Sequence, residues 1–301
     1  MSALGIAELN ALLPCWPKMS VERYAAFEQA TRVSAVRIGE LWWQRPRPFF
    51  YRPLLPFKKY HLAETQKAFD TAGIFQHAVE DGQLFNSYLN PVFFENPQDY
   101  DVKKLHDNAR RSLKKALRNP IAVRRMLDEE EFSGQAYPVY LSFYQRTKYG
   151  FDTGRKEKAN FVRWSHSVFQ FPEAVILGAF LGSELVSFEI SCLVENTLIL
   201  KTIVTSDKAL KLNTSDLLLH YYRSAAQEQT EIHGIYDSML SENKGLNNYK
   251  IMRGATVMAL PAFIHIRPGL LWMLRKVNGA ACMRLHGFST AQLKFKGFAN
   301  P

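Results

Sequence analysis

The sequence predicts a mixed α/β layer, a mostly antiparallel sheet flanked by helices, and three observations carry that expectation. Two apolar strands separated by a tight turn stand in series from Ala174 to Leu193, and a third follows from Thr197 to Thr205. A helix then opens at Asn213-Thr214-Ser215, residues suited to capping a helix N-terminus. A strand, a short helix and a further strand complete the order, so the sheet must contain a helix crossover.

In chain order, residues 1–30 show helical spacing (Leu9, Leu12, Leu13; then Tyr24, Phe27) broken by Pro14 and Pro17. Val33 to Leu55 reads as extended, because its aromatics are interleaved with prolines that suit edge strands or a loop. Residues 62–80 read as a helix, and Gln83 to Phe94 as one or two strands. Asp101 to Leu117 is expected to be a helix with one apolar stripe, Leu105, Ala109, Leu113 and Leu117, and a basic remainder. Ile121 to Met126 is a short strand, and helices follow over Asp128 to Lys148, ending near Gly150, and Asn160 to Phe169. Ala174 to Leu181 is apolar throughout. Gly182-Ser183 turns the chain beside Glu184, and Leu185 to Leu193 alternates: Val186, Phe188, Ile190 and Cys192 on one face, Ser187, Glu189 and Ser191 on the other. Glu195-Asn196 turns again before the third strand. The capped helix runs to about Gln229, followed by strand Ile232 to Ser238, helix Gly245 to Met252 and strand Thr256 to Ile266. Ligands of such layers favour the places where strand ends splay.

Composition excludes several classes. A chain of 301 residues with 47% hydrophobic and 22% charged residues can bury a sizeable core, so disorder does not describe it. Three cysteines, Cys15, Cys192 and Cys282, with no close pair exclude a disulfide scaffold. No apolar run reaches the ~20 residues of a membrane-spanning helix, and Met1 to Pro17 lacks the basic start of a signal peptide and contains Glu8. A reducing, cytosolic location is expected. The net charge of +10 is uneven. Lys103 to Arg125 holds nine basic residues against Asp107 alone, Pro261 to Pro301 holds six without an acid, and Leu41 to Tyr60 holds five without an acid. Such stretches suit a nucleic acid, an anionic membrane surface or an anionic substrate, or else form a solvated helix face.

The element order resembles the acyl-CoA N-acyltransferase (GNAT) fold, in particular the branch of the Fem aminoacyltransferases and the acetyltransferase domains of polysaccharide-biosynthesis clusters. Two stretches carry the likeness. One is the basic helix Asn108-Ala109-Arg110-Arg111-Ser112-Leu113-Lys114-Lys115-Ala116-Leu117. The other is Tyr236-Asp237-Ser238 followed by Asn248-Tyr249-Lys250-Ile251-Met252-Arg253-Gly254-Ala255, an Asp ending a strand and then a Tyr-Lys helix with a Gly four residues after the Lys. The likeness covers roughly residues 100–266. Arg253 departs from the aromatic residue and Ser238 from the glycine common in the family. Residues 1–100 are expected to be an accessory or degenerate GNAT-like subdomain, 101–266 the acyltransferase domain, and 267–301 a basic amphipathic tail.

The resemblance implies transfer of an acyl or aminoacyl group to an amine that attacks the acyl carbonyl directly. It implies no tightly bound cofactor, with acyl-CoA, an acyl carrier protein or an aminoacyl-tRNA as co-substrate and a small amine-bearing acceptor. Acetyl-CoA enzymes of this fold carry a glycine-rich loop before the main helix, where backbone amides approach a pyrophosphate. Here Lys208-Ala209-Leu210-Lys211-Leu212-Asn213-Thr214-Ser215 has no glycine, so Lys208, Lys211, Asn213, Thr214, Ser215 and the helix N-terminus are the candidate phosphate ligands. Lys250 is a further candidate point charge. Glu189 is the candidate base, or else a solvent-facing strand carboxylate; Asp237 ends a strand where sites concentrate. Tyr236 and Tyr249 are candidates to protonate the leaving group, or else packed tyrosines with bonded hydroxyls. His166, His220 and His233 carry no catalytic pattern, Cys192 alternates with core residues, and no metal-site, nucleophile-elbow or P-loop spacing occurs. The tail Arg267 to Lys276, with Leu270, Leu271, Trp272 and Leu274, suits a helix on an anionic membrane at the inner face, or one docked on its own domain. Nucleic acid is a partner in the transfer reading only if the donor is tRNA. The competing reading is a non-catalytic protein that binds nucleic acid or anionic membrane through its basic stretches.

Overall fold

The computed structural model describes residues 15–31, 34–47, 49–69, 73–147, 156–272, 276 and 285–298. Along the chain, β1 (Lys18–Met19) and α1 (Val21–Ala30) precede β2 (Ala35–Ile38), β3 (Leu41–Arg47), β4 (Phe50–Pro53) and β5 (Lys59–Tyr60). Next come α2 (Leu62–Phe69), β6 (Ile74–Val79), β7 (Ser87–Leu89), β8 (Pro91–Glu95), α3 (Asp107–Ala116) and β9 (Ile121–Arg125). The helices α4 (Glu129–Thr147) and α5 (Lys158–Phe169) lead to β10 (Val175–Leu181), β11 (Glu184–Val194) and β12 (Thr197–Thr205). The chain closes with α6 (Asp207–Lys211), α7 (Thr214–Glu228), β13 (Gly234–Met239), α8 (Lys244–Met252), β14 (Thr256–Val257), β15 (Leu260–Ile266) and α9 (Thr290–Phe295). It packs as two units, the first made of 1–20, 94–237 and 252–254, the second of 21–93, 238–251 and 255–301.

In the first unit the strands run in the order β13-β12-β11-β10-β9, with β1 parallel to the end of β11. β9, β10, β11 and β12 form successive antiparallel pairs, and the three strands expected from the sequence over residues 174–205 are β10, β11 and β12. β12 and β13 are parallel, as a helix crossover through α7 requires, and pair only from Thr197–Gly234 to Ile199–Tyr236. Beyond that point Leu200 to Thr205 pairs with β11, and the register slip between Ile190 and Ser191 makes Lys201 the extra residue of a bulge.

The alternation of β11 is real, but both of its faces are covered. Phe188 meets Phe132 of α4 edge-on at 5.1 Å, and Phe132, Phe161 and Trp164 extend that aromatic layer. The opposite face carries Ser187, Glu189 and Ser191, all buried, beneath Ser215 and Tyr222 of α7. Burying a side chain such as Phe188 contributes about 2–3 kcal/mol; burying the polar row costs energy unless each group is paired or neutral.

In the second unit β2, β3 and β4 form antiparallel pairs, β4 lies parallel to β6, and β15 sits antiparallel between β6 and β7. β5 joins β6 in parallel, and β14 pairs antiparallel with β8. Trp43 and Phe75, both fully buried and 6.0 Å apart edge-on, anchor one cluster.

Three local expectations need correction. The helix read over 62–80 ends at Phe69, because Gly73 precedes six consecutive buried residues that form β6, and an all-buried run belongs to a two-sided strand. The strand read over 256–266 is two strands in different sheets, separated at Met258, whose N–H donates to Pro91 O. The stretch from Lys208, set against a glycine-rich loop in the sequence, contains the short helix α6, capped by the Ser206 hydroxyl accepting from Ala209 N–H. The basic helix forms as α3 and buries Ala109, Leu113 and Ala116, whereas Leu117 at its end is exposed. Cys192 is buried and Cys15 exposed; Cys282, the spacing at Leu9 to Leu13, the end near Gly150 and Leu274 lie outside the described residues.

The departures from the family pattern have structural partners. Arg253 Nε donates to Asp216 Oδ1 of α7 at 2.6 Å, both side chains being about nine-tenths buried. The Arg253 carbonyl accepts from Arg223, whose guanidinium stacks 4.0 Å from the Tyr100 ring and 4.7 Å from Phe94. Gly254 ends α8 with φ +87°, and a methyl group there would stand 3.3 Å from the Arg223 guanidinium. The Gly four residues after Lys250 is therefore a helix stop under an arginine. Arg253→Ala leaves a buried carboxylate unpaired and is expected to lose about 3 kcal/mol of stability, read from the urea midpoint. A loss below about 1 kcal/mol contradicts the assignment.

Candidate active site

The candidate site is the polar row of β11 beneath α7. Each member is placed by strand register: Ser187 lies opposite Thr205, and Glu189 lies between Leu177 of β10 and Ile203 of β12. Ser187 Oγ donates to Val204 O at 2.8 Å and lies 3.0 Å from Thr205 Oγ1, which is 3.1 Å from Ser215 Oγ at the start of α7. Ser191 Oγ accepts from the Trp16 indole at 2.8 Å and lies 3.4 Å from the hydroxyl of Tyr222, whose ring stacks on Trp16 with centroids 5.6 Å apart.

Between these two hydroxyl clusters sits Glu189, 1% exposed, with Oε1 lacking any hydrogen-bond partner. Burial pushes its carboxyl well above the usual range, and the nearby Asp237 carboxylate pushes it further. Both effects favour the protonated, neutral form of Glu189. The reading of it as a surface carboxylate is overturned by its burial, and a neutral carboxyl serves as a base only after losing its proton. Tyr222 is also pushed well above its usual value, first by burial and then by Glu189, so its phenol stays protonated.

The structure brings Glu189 and Asp237 together in the first unit, with Tyr236 buried at the last paired position of β13. Tyr249 and Lys250 belong to the second unit, where Lys250 Nζ donates to Ser238 Oγ at 2.7 Å. The phosphate candidates separate. Lys208 pairs with Glu184 beside a cavity of 460 Å³ that Pro138, Ser142 and Ser206 also line. Lys211 is exposed in the last turn of α6. Asn213 adopts φ +53° and offers no side-chain cap; its carbonyl takes the N–H groups of Asp216 and Leu217. Thr214 is fully buried with Oγ1 lacking a partner, directly at the N-terminus of α7.

Sequence reasoning missed Trp16, Ser191 and Tyr222 as one network, because residues separated by 175 positions or by a helix face leave no spacing signal. His220, without a pattern in the sequence, is buried, with Nδ1 2.9 Å from the Tyr100 hydroxyl. Burial first, then the Arg223 charge, lowers it to about 4, so it is neutral and structural. Among the described residues no group of three His, Cys, Asp or Glu side chains is arranged to hold a metal.

Residues 252 to 254 aside, the order β9-α4-α5-β10-β11-β12-α7-β13 and the parting of β12 from β13 define the fold of this unit. No family model and no curated protein matches the chain by sequence. Solved structures do match. The chain is similar to FemX at a TM-score of 0.56 and 12% identity, covering 90% of this chain and 98% of that one. It is similar to L-PGS from Bacillus licheniformis at 0.56 and 15%, covering 89% and 98%. A third match, at 0.57 and 8% over 84% and 90%, is the C-terminal domain of an Agrobacterium fabrum protein titled as a putative lysylphosphatidylglycerol synthetase. The chain shares its mixed α/β fold with FemX and L-PGS. In this fold the polar row faces the main helix, and the end of β12 stands beside the α7 N-terminus through the Thr205–Ser215 contact.

The ionisation of Glu189 has a signed consequence. A carboxyl with a raised folded pKa stabilises the protein fully below its unfolded value of about 4.5 and loses that contribution as pH rises toward the folded value. Glu189→Gln, a neutral isostere, is expected to gain stability relative to wild type progressively above about pH 4.5. Thermal unfolding across pH reads this, and parallel curves for the two proteins would show that Glu189 is not held neutral.

Proposed function

We propose that the chain transfers an acyl or aminoacyl group to an amine, with residues 101–266 carrying the reaction, residues 1–100 an accessory half and residues 267–301 a basic tail. The observation that carries this reading is the buried Glu189 carboxyl beside Asp237 under α7, within a fold shared with FemX and L-PGS. Transfer forms a C–N bond as the acyl C–S or C–O bond breaks. The amine must lose a proton and the leaving group must gain one. Asp237, half-buried at the end of the β12–β13 pairing, is the group for the first task, and its neighbour Glu189 holds a proton in reserve. Tyr236 is the nearest phenol in sequence for the second.

The donor's phosphate is proposed to meet the α7 N-terminus, where the partnerless Thr214 hydroxyl and the helix dipole favour an anion and Lys211 adds charge. Asn213 and Ser215 shape that turn. Lys208 is neutralised by Glu184, and Lys250 is held by Ser238, so both are weaker candidates for the phosphate than Lys211. The donor is acyl-CoA, a carrier-protein thioester or an aminoacyl-tRNA.

One specific observation bears on the donor. The exposed side of α3 presents Arg110, Arg111, Lys114 and Lys115, although Arg110 is shared with Asp107. Such a stripe suits a polyanion, and it also supports the competing reading of salt-sensitive nucleic-acid or membrane binding without chemistry. The tail is the other basic handle: Trp272 is exposed with the Lys276 ammonium 4.1 Å over its ring. No helix among the described residues is long and apolar enough to cross a membrane.

The test is turnover by the purified chain with panels of acyl-CoA, acyl-carrier-protein and aminoacyl-tRNA donors and amine acceptors. Free thiol or deacylated tRNA should accumulate, and Asp237→Asn should lower kcat by about 100-fold or more. Charge reversal at Arg111, Lys114 and Lys115 should leave small thioester donors unaffected and weaken a tRNA donor. Binding to nucleic acid or acidic vesicles with no turnover on any donor overturns the transfer reading.

A further inference from the structure

The second unit contains a cavity of 470 Å³ that shares no residue with the Glu189 site. Its back wall is built rather than accidental. Gln76 of β6, 4% exposed, donates through Nε2 to Leu285 O at 2.7 Å and Tyr88 O at 3.2 Å. Asn90 clamps Phe288 from both sides, donating to its carbonyl and accepting from its N–H, each at 2.8 Å. Tyr88 N–H donates to His286 O at 2.7 Å. Between these bonds Gly287 has φ +63°, and a Cβ there would fall 2.1 Å from Tyr88 O. The segment 285–288 is therefore laid against β7 by backbone contact that only glycine permits.

The lining divides into charge and grease. Arg52 of β4 lines the cavity, and its Nε is buried with no hydrogen-bond partner. Lys244 and Lys296 also line it, and Glu242 is the one acid there. Among the described residues no ion pair engages Arg52, Lys244 or Lys296. Phe50, Phe288 and Phe298 supply apolar wall, and the Lys296 ammonium sits 4.7 Å over the Phe288 ring. A buried donor without an acceptor costs free energy that a ligand oxygen can restore. Three cations against one acid select an anion, and aromatic walls select an apolar body.

We propose that this cavity binds a small anionic amphiphile, with one phosphate or carboxylate headgroup at Arg52, Lys244 and Lys296 and an apolar body against Phe50, Phe288 and Phe298. The binding is independent of the transfer reading, since it requires no chemistry and none of the residues of the β11 row.

Calorimetric titration of the full chain tests it, with dodecyl phosphate, dodecanoate, inorganic phosphate and dodecylammonium, each below its micelle concentration. One dodecyl phosphate or one dodecanoate should bind per chain, and the tighter of the two identifies the headgroup. Inorganic phosphate and dodecylammonium should bind at least about tenfold more weakly, because each lacks one half of the recognised chemistry. Arg52→Gln and Phe288→Ser should each weaken the amphiphile by about tenfold. Lys244→Gln with Lys296→Gln, both at exposed positions, carries the same expectation without touching the wall if either of those variants fails to fold. Absence of binding by both anions, equal binding of dodecylammonium, or wild-type affinity in the lysine pair variant overturns the proposal.

Discussion

The first unit depends on one constraint, the covering of a polar strand face by a helix. Ser187, Glu189 and Ser191 cannot reach water once α7 lies over β11. The hydroxyls solve this by bonding: Ser187 to Val204 and Thr205, Ser191 to Trp16. Glu189 has no such solution for Oε1, and its burial favours the protonated form instead. The neighbouring features follow from the same helix. Its N-terminus stands beside the end of β12 through Ser215, and Tyr222 at mid-helix closes the row against Trp16.

The same helix explains why charge enters the interior at its other side. Asp216 and Arg223 lie one turn or more apart on α7, and Arg253 links them, binding one through its guanidinium and the other through its carbonyl. The pair is expensive to desolvate and costly to break, which fits a role in fixing where α7 sits. Much of the remaining positive charge is spent locally: Arg124 on Glu131, Arg146 on Asp207, Lys59 on Asp81. Among the described residues, Arg111, Lys114 and Lys115 of α3 and Arg52, Lys244 and Lys296 around the cavity of the second unit engage in no ion pair.

The core of the fold was legible because periodicity speaks locally. Thr197 to Thr205 is a strand at its expected limits, and the alternation of β11 assigned Phe188 and Glu189 to opposite faces correctly. Alternation does not say whether the polar face meets water. That depends on α7, whose partner face is chosen by residues such as Tyr222 and Trp16 far away in the chain, so Glu189 was left open between a base and a surface carboxylate. The helix expected over 62–80 failed for a related reason, since an all-apolar run such as Ile74 to Val79 fits a buried strand and a buried helix alike. The motif Tyr-Lys-x-x-x-Gly was visible as a pattern, but its glycine turned out to answer a geometric need at φ +87° under Arg223 rather than a chemical one. The lysines before α7 were visible too; that Lys208 is committed to Glu184 was not, because the pairing joins residues 24 positions apart.

The buried row has at its centre the carboxyl of Glu189, whose burial favours a bound proton. Infrared difference spectroscopy between wild type and Glu189→Gln at neutral pH reads it directly. A protonated carboxyl C=O band present in the wild type and absent from the variant is the predicted result. An ionised carboxylate signature lost on the same substitution would contradict the account.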